Sequence, residues 1–219
     1  MNDKPSNQIR RVLARLLEVY GIPTWREPLP PLDELVSTIL SQNTNDRNRD
    51  NGFHRLRERF DHWEDVMNGR VEDVEFAIRP AGLSQQKSAR IVEALRWVND
   101  REGSLSLEFL RTLSDDEIIE TLTALKGVGV KTAAVLAAFS LGRDLCPVDT
   151  HVHRIALRTG WAEPKMSAEK VFYHLRPAIP AGNAPTFHLN LLKLGRTICT
   201  ARSPKCGICP LADDCSYNR

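Results

Sequence analysis

The stretch Leu125-Lys126-Gly127-Val128-Gly129-Val130-Lys131-Thr132-Ala133 joins two segments of helical period through two glycines separated by one residue. Ahead of it, Ser114-Asp115-Asp116-Glu117 has the S-x-x-E form of a capping box, with Ile118, Leu122 and Leu125 supplying one apolar face behind it. Behind it, residues 131–141 are rich in alanine and read as a second helix. Glycines allow a tight turn here, and their missing side chains let another backbone approach the amides that open the second helix. Those outward N–H groups, with the positive end of the helix dipole, suit a phosphate oxygen. Taken alone, G-x-G between helices is equally a plain turn with no ligand.

Outward from this turn the helical period continues in both directions. Ile9, Val12, Leu13, Leu16, Leu17 and Tyr20 recur every three or four residues, and Gly21 follows as a stop. Residues 24–31 carry three prolines and no period, so they are a connection, after which Leu32, Leu35, Val36, Ile39 and Leu40 resume the spacing. Further helices are expected over about 46–60, 71–78, 84–100, 148–159, 167–178 and 186–198. No alternating run of strand length interrupts them, and the fold class is all-α.

Composition bounds what such a chain can be. With 219 residues and 42% hydrophobic content it forms one large or two small globular domains. Thirty Lys plus Arg against 28 Asp plus Glu leave a formal charge of +2, which gives no overall electrostatic reason for a nucleic-acid or membrane partner. No apolar run approaches the roughly 18 residues that span a bilayer, and residues 1–8 lack the apolar core of a secretory signal. No membrane partner is expected, and the reading is an intracellular protein of the cytoplasm or nucleoid.

The five cysteines are unevenly placed. Cys199, Cys206, Cys209 and Cys215 form C-x6-C-x2-C-x5-C, while Cys146 stands alone and reads as a small buried apolar residue. In a reducing compartment such clustering points to a metal before disulfides. Four thiolates in so short a span can close around a zinc ion or an iron–sulfur cube, and ligand chemistry alone does not choose. Between the first two ligands lies Thr200-Ala201-Arg202-Ser203-Pro204-Lys205, a tethered loop whose Arg202 and Lys205 read either as phosphate contacts or as solubilising cations.

The hairpin stretch resembles the helix-hairpin-helix of the endonuclease III family of DNA glycosylases, and Val148-Asp149-Thr150-His151 resembles the motif that follows it there. The resemblance runs through the cysteines and back to residues 40–46. It implies two helical domains flanking a DNA-binding cleft: a six-helix barrel over 31–142, with the hairpin near 114–141, and a cluster domain built from both termini. In that scheme residues 1–30 supply a helix and linker that pack on the cluster domain, and residues 143–219 supply the rest. The cysteine spacing matches the family's [4Fe-4S] loop at all four positions. The implied partner is double-stranded DNA carrying damaged bases or abasic sites, bound by a monomer.

By the same resemblance Lys131 and Asp149 are the catalytic pair. On residue type alone Lys131 is a solvated lysine and Asp149 a helix N-cap. Each, however, matches a catalytic motif position, and family members with lysine at the Lys131 position also cut the strand. An amine can attack C1′ of a deoxyribose, displace the base and leave a Schiff base from which the 3′ phosphate departs. A carboxylate steadies the positive charge that develops on the sugar. The expected function is therefore a bifunctional glycosylase and abasic-site lyase that removes oxidised or damaged pyrimidines. The alternatives are a related glycosylase for uracil or thymine mismatches or modified cytosine, and a noncatalytic module that binds damaged DNA.

Chemistry at C1′ requires the nucleotide to leave the stack, so something must fill the gap. The resemblance points to two loops. In Ser41-Gln42-Asn43-Thr44-Asn45-Asp46 the family's usual glutamine aligns with Asn43, and either Gln42 or Asn43 can present an amide to bases. In Ala81-Gly82-Leu83-Ser84-Gln85-Gln86-Lys87, Leu83 is the candidate wedge and Ser84 the expected N-cap of the next helix. Gly127, Gly129 and His151 complete the expected DNA contacts, with a structural hydrogen bond the other reading of His151.

Overall fold

The computed structural model describes residues 4–218, among which every regular element is helical. In chain order these are α1 (Lys4–Tyr20), α2 (Pro31–Ser41), α3 (Asp46–Arg59), α4 (Trp63–Asn68), α5 (Val71–Ile78), α6 (Ser84–Glu102), α7 (Asp115–Thr123), α8 (Val130–Phe139), α9 (Thr150–Thr159), α10 (Ala168–Leu175) and α11 (Ala184–Thr197). Short 3-10 turns join or follow these helices, among them Arg79–Ala81 between α5 and α6. No helix among the described residues is long and apolar enough to cross a membrane.

The chain divides into two compact units, Pro28–Gly142 and, from both ends of the chain, Met1–Glu27 with Arg143–Arg219. Residues 1–3, the start of the segment expected over 1–30, lie outside the described residues. In the continuous unit, α2 is buried almost all round, with Leu35, Val36, Ile39 and Leu40 at 2% exposure or less. Its polar Glu34, Ser37 and Thr38 are buried as well, and α3, α6 and α8 pack on it. α8 packs on α2 and α7, and its alanines Ala133, Ala134, Ala137 and Ala138 are all buried. Truncating a core residue such as Leu95 to alanine would cost roughly 2–5 kcal/mol.

The capping box forms as its residues require. Glu117 N–H donates to Ser114 Oγ at 3.3 Å, and Ser114 N–H donates to Glu117 Oε2 at 2.8 Å. The Ser114 hydroxyl first, and its backbone N–H second, hold the Glu117 carboxyl below its ordinary value.

In the unit built from both ends, Ile9, Val12, Leu13 and Leu16 of α1 form the buried stripe their spacing predicts. Asn190 of α11 ties the end of α1 by donating to the Gly21 carbonyl at 3.1 Å. Trp161 and Phe187 pack ring to ring at 5.7 Å in the core of this unit, with Phe172 and Leu191 also buried there.

Two details differ from the periodicity. α4 was not anticipated, because six residues with only Trp63 and Val66 buried are too short to display a period. α9 starts at Thr150, two residues later than expected, because Asp149 stands at its N-cap in extended conformation.

Candidate functional site

Within the continuous unit, the hairpin turn uses its two glycines differently. Gly127 has φ +85°, and a Cβ there would meet Arg90 Cδ and Nε at 3.3 Å, so both backbone and space call for glycine. Gly129 has φ −99° and ψ 173°, which any residue adopts, and a Cβ on it would meet nothing within 4 Å. Neither backbone nor packing within the chain requires glycine there, and the entrance to α8 is left bare. The Gly129 carbonyl accepts from Ala133 N–H at 3.1 Å, so the amides ahead of Ala133 have no acceptor within the helix. Lys131 is the second residue of α8 and half-buried, with Thr132 and Ala133 turned into the core.

The two expected insertion loops lie in the same unit and share a backbone peculiarity. Asn43 (φ 52°) and Leu83 (φ 49°) are the non-glycine residues with positive φ among the described residues. For leucine that conformation costs about 1–2 kcal/mol, so the surroundings must impose it. Both side chains are exposed, Leu83 at 49%. Ser84 is not the N-cap of α6. Leu83 holds that position, its carbonyl accepting from Lys87 N–H at 3.0 Å, while Ser84 Oγ turns to Glu75 Oε1.

Gln42 and Asn43 are separated by their partners. Arg90 Nη1 donates to Gln42 Oε1 at 2.6 Å, and Gln42 Nε2 donates to the Gly127 carbonyl at 3.3 Å, so Gln42 is held between α6 and the hairpin turn. Sequence reading did not single out Arg90 or Lys87. Lys87 is 1% exposed, and its Nζ donates to the Leu40 carbonyl at 2.8 Å and the Ala81 carbonyl at 2.7 Å. Burial pushes its pKa down. Position 87 falls four residues ahead of Ile91 on the buried face of α6, but its acceptors lie outside that helix.

In the unit built from both ends, Asp149 caps α9. Its Oδ1 accepts from His151 N–H at 2.9 Å and Val152 N–H at 2.8 Å, leaving Oδ2 without a hydrogen bond among the described residues. The cap thus occupies one oxygen of a half-buried carboxylate. Buried His188 steadies the approach, its Nδ1 2.7 Å from the Pro147 carbonyl. His151 lies against α11: a Cβ on Gly195 would stand 2.7 Å from His151 Cβ, and His151 Nδ1 is 3.1 Å from Arg154 Nη2. His151 thus has a structural partner in Arg154 within its own helix.

α9 also carries the supports of the cysteine loop. Arg158 Nη1 donates to Cys199 Sγ at 3.3 Å and to the Thr200 carbonyl at 2.8 Å, and Nη2 donates to the Ala201 carbonyl at 2.9 Å. Arg154 reaches the Cys199 and Gly195 carbonyls from one turn earlier. Spaced i, i+4, the two arginines share one face of α9, a signal the sequence offered and that was not used. Cys199, Cys206, Cys209 and Cys215 line a single pocket with Arg158, Ile198, Pro204, Lys205, Ala212, Tyr217 and Asn218. Among the described residues no three Cys, His, Asp or Glu side chains gather as a single-ion site. The Cys209 thiol is pushed up, by burial above all and further by Cys199, Cys215 and Cys206, against a backbone hydrogen bond at Leu211 that lowers it. Four cysteine sulfurs lining one pocket are the donor set an iron–sulfur core takes, so the residues fit such a group. Arg202 and Lys205 are exposed on the loop, whose base is closed by Lys205 N–H to the Ile198 carbonyl at 3.0 Å. Cys146 is buried apart from this pocket, and burial and the nearby Asp149 and Asp144 push its thiol far up.

A family model described as HhH-GPD superfamily base excision DNA repair protein matches residues 36–181, and one described as the iron-sulfur binding domain of endonuclease III matches residues 199–215. The chain belongs to the HhH-GPD superfamily of base excision DNA repair proteins and, within it, to the endonuclease III family. It is 31% identical over 207 residues to endonuclease III of Thermotoga maritima, covering 94% of this chain and 92% of the relative. A candidate DNA glycosylase of Arabidopsis thaliana is 39% identical over 161 residues, and the match spans 74% of this chain but only 54% of the plant protein. Among solved structures, a trapped endonuclease III–DNA covalent intermediate superposes with a TM-score of 0.83 at 28% identity, covering 97% of this chain and 96% of the other.

Proposed function

We propose that the protein is a bifunctional DNA glycosylase and abasic-site lyase acting on damaged pyrimidines in double-stranded DNA. Lys131 Nζ, as the deprotonated amine, attacks C1′ of the target deoxyribose, and the N-glycosidic bond breaks with its electron pair leaving on the base. The Asp149 carboxylate steadies the positive charge that develops on the sugar. Opening of the sugar ring gives the Schiff base. A proton then leaves C2′, the 3′ C–O bond breaks and the phosphate departs, and water releases the lysine.

The observation that carries this reading is the placement of Lys131. It is the second residue of a helix entered through Gly129, where a side chain would meet nothing of the protein itself. A phosphate bound at those amides would bring its sugar within reach of the amine. The exposed Arg202 and Lys205 add phosphate contacts on a loop already fixed by Arg154 and Arg158. Cys199, Cys206, Cys209 and Cys215 would hold a [4Fe-4S] cluster, which supplies a rigid clasp for that loop when bound.

The deciding experiment is strand cleavage of an oligonucleotide with one abasic site, in the presence of a chelator and with no added metal ion. Cleavage 3′ to the site supports the lyase reading; binding without cleavage rejects it in favour of a noncatalytic module. A panel of damaged bases in duplex DNA then defines the substrate, with release of oxidised pyrimidines expected.

A further inference from the structure

Lys87 takes no part in the chemistry just described, yet it is the most deeply buried cation of the continuous unit among the described residues. Burial disfavours its charge, so packing alone gives lysine no advantage over methionine at this place. What only the ammonium supplies is two donors aimed at two carbonyls from different segments. One belongs to Leu40 in the last turn of α2, three residues ahead of Asn43. The other belongs to Ala81, two residues ahead of Leu83. Both segments run directly into the exposed residues held at positive φ. Three residues further along α6, Arg90 holds Gln42, which in turn reaches the hairpin turn at Gly127.

We propose that Lys87 is a positioning residue for lesion access. It fixes the spacing of the two loops so that Asn43 and Leu83 enter the duplex together, while Gln42 stays within the protein as the link to the hairpin. This rests on the lyase reading above and adds a division of labour between neighbouring residues. Insertion matters only where a stacked base must be displaced, and a single-stranded abasic site needs no such displacement.

The test uses the full chain with Lys87→Met, an abasic site in duplex and in single-stranded DNA, and the fluorescent base 2-aminopurine placed opposite the site. On duplex DNA the variant is expected to lose about tenfold to a hundredfold in kcat, as misplacement of a positioning group does, and to lose the fluorescence rise that reports unstacking. On single-stranded DNA it is expected to stay within about twofold of wild type, since no insertion is required there. Unchanged duplex cleavage and fluorescence would overturn the proposal, and so would equal loss on both substrates, which marks a merely structural residue. Failure of the wild-type protein to cut either substrate would count against the lyase reading instead, and its fluorescence rise would still report insertion. If Lys87→Met does not fold, Lys87→Gln, which keeps a polar head but cannot reach both carbonyls, replaces it. Duplex-only loss is expected of it too, and full duplex activity and fluorescence would sink the proposal.

Discussion

Arg154 grips the Cys199 carbonyl with two donors, Nε at 2.9 Å and Nη2 at 2.7 Å. The helix that begins at Asp149 therefore ends its first turns holding the first cysteine of the cluster loop. Arg158 repeats the contact one turn on, at the sulfur itself and at the two carbonyls that follow. Charge-assisted bonds of this kind are worth about 1.5–3 kcal/mol each when a buried acceptor depends on them.

Replacing either arginine is expected to loosen the loop before it disturbs the rest of the unit. Arg154→Met and Arg158→Met should lower iron and sulfide content per chain and the visible absorbance of the purified protein, with a stability loss of about 2 kcal/mol. Full cluster content in both variants would show that the cysteines alone hold the loop.

Asp149 does two separable things. Asparagine caps a helix about as well as aspartate, so Asp149→Asn should change stability by less than about 1 kcal/mol while turnover falls by about a hundredfold or more. Asp149→Ala should lose the cap as well, a further cost of about 1 kcal/mol in a denaturant titration. Equal turnover in the asparagine variant and the wild type would leave Asp149 with the cap alone.

Borohydride reduction of the Schiff base should trap the protein covalently on abasic DNA, and Lys131→Ala should abolish the adduct. The variant should still bind abasic DNA, because the backbone amides that open α8 and the exposed cations of the cysteine loop do not depend on that side chain. An adduct of undiminished yield would assign the nucleophile to another amine.

The capping box of α7 gives a pH signature. The Glu117 carboxyl is held below its ordinary value in the folded state by Ser114. Its contribution to stability is therefore present above the ordinary glutamate range and lost as pH falls through the lowered value. Glu117→Gln should be less stable than wild type near neutrality, and the two urea midpoints should converge on acidification. A gap that persists in acid would place the effect elsewhere than in the ionised carboxylate.

The boundaries that were legible in the sequence belong to elements with a local cause. Ser114 and Glu117 mark the start of α7 because both partners of the box lie within four residues. Gly21 closes α1 through its own N–H to the Leu17 carbonyl at 2.8 Å. α4 escaped because it shows less than two turns, and Ser84 was misassigned because its hydroxyl found Glu75 instead of the helix backbone. The arginines of α9 were passed over for a different reason. Their partners lie more than 40 residues away along the chain, where no window of sequence brings them together.

The sequence by itself determined the helical class, the hairpin with its two glycines, the capping box and the four cysteines. Each of these is written in spacing, and spacing within a turn or a loop is enforced by backbone geometry and hydrogen-bond reach. Tertiary structure alone decided that Gln42 is tied down while Asn43 stands exposed, that Leu83 is forced into a left-handed backbone, and that Lys87 is buried between two loops. Those outcomes depend on which carbonyls are left without partners once α2, α6 and the Arg79–Ala81 turn have packed. A buried donor takes whichever acceptor packing brings within about 3 Å, however far away it lies in the chain.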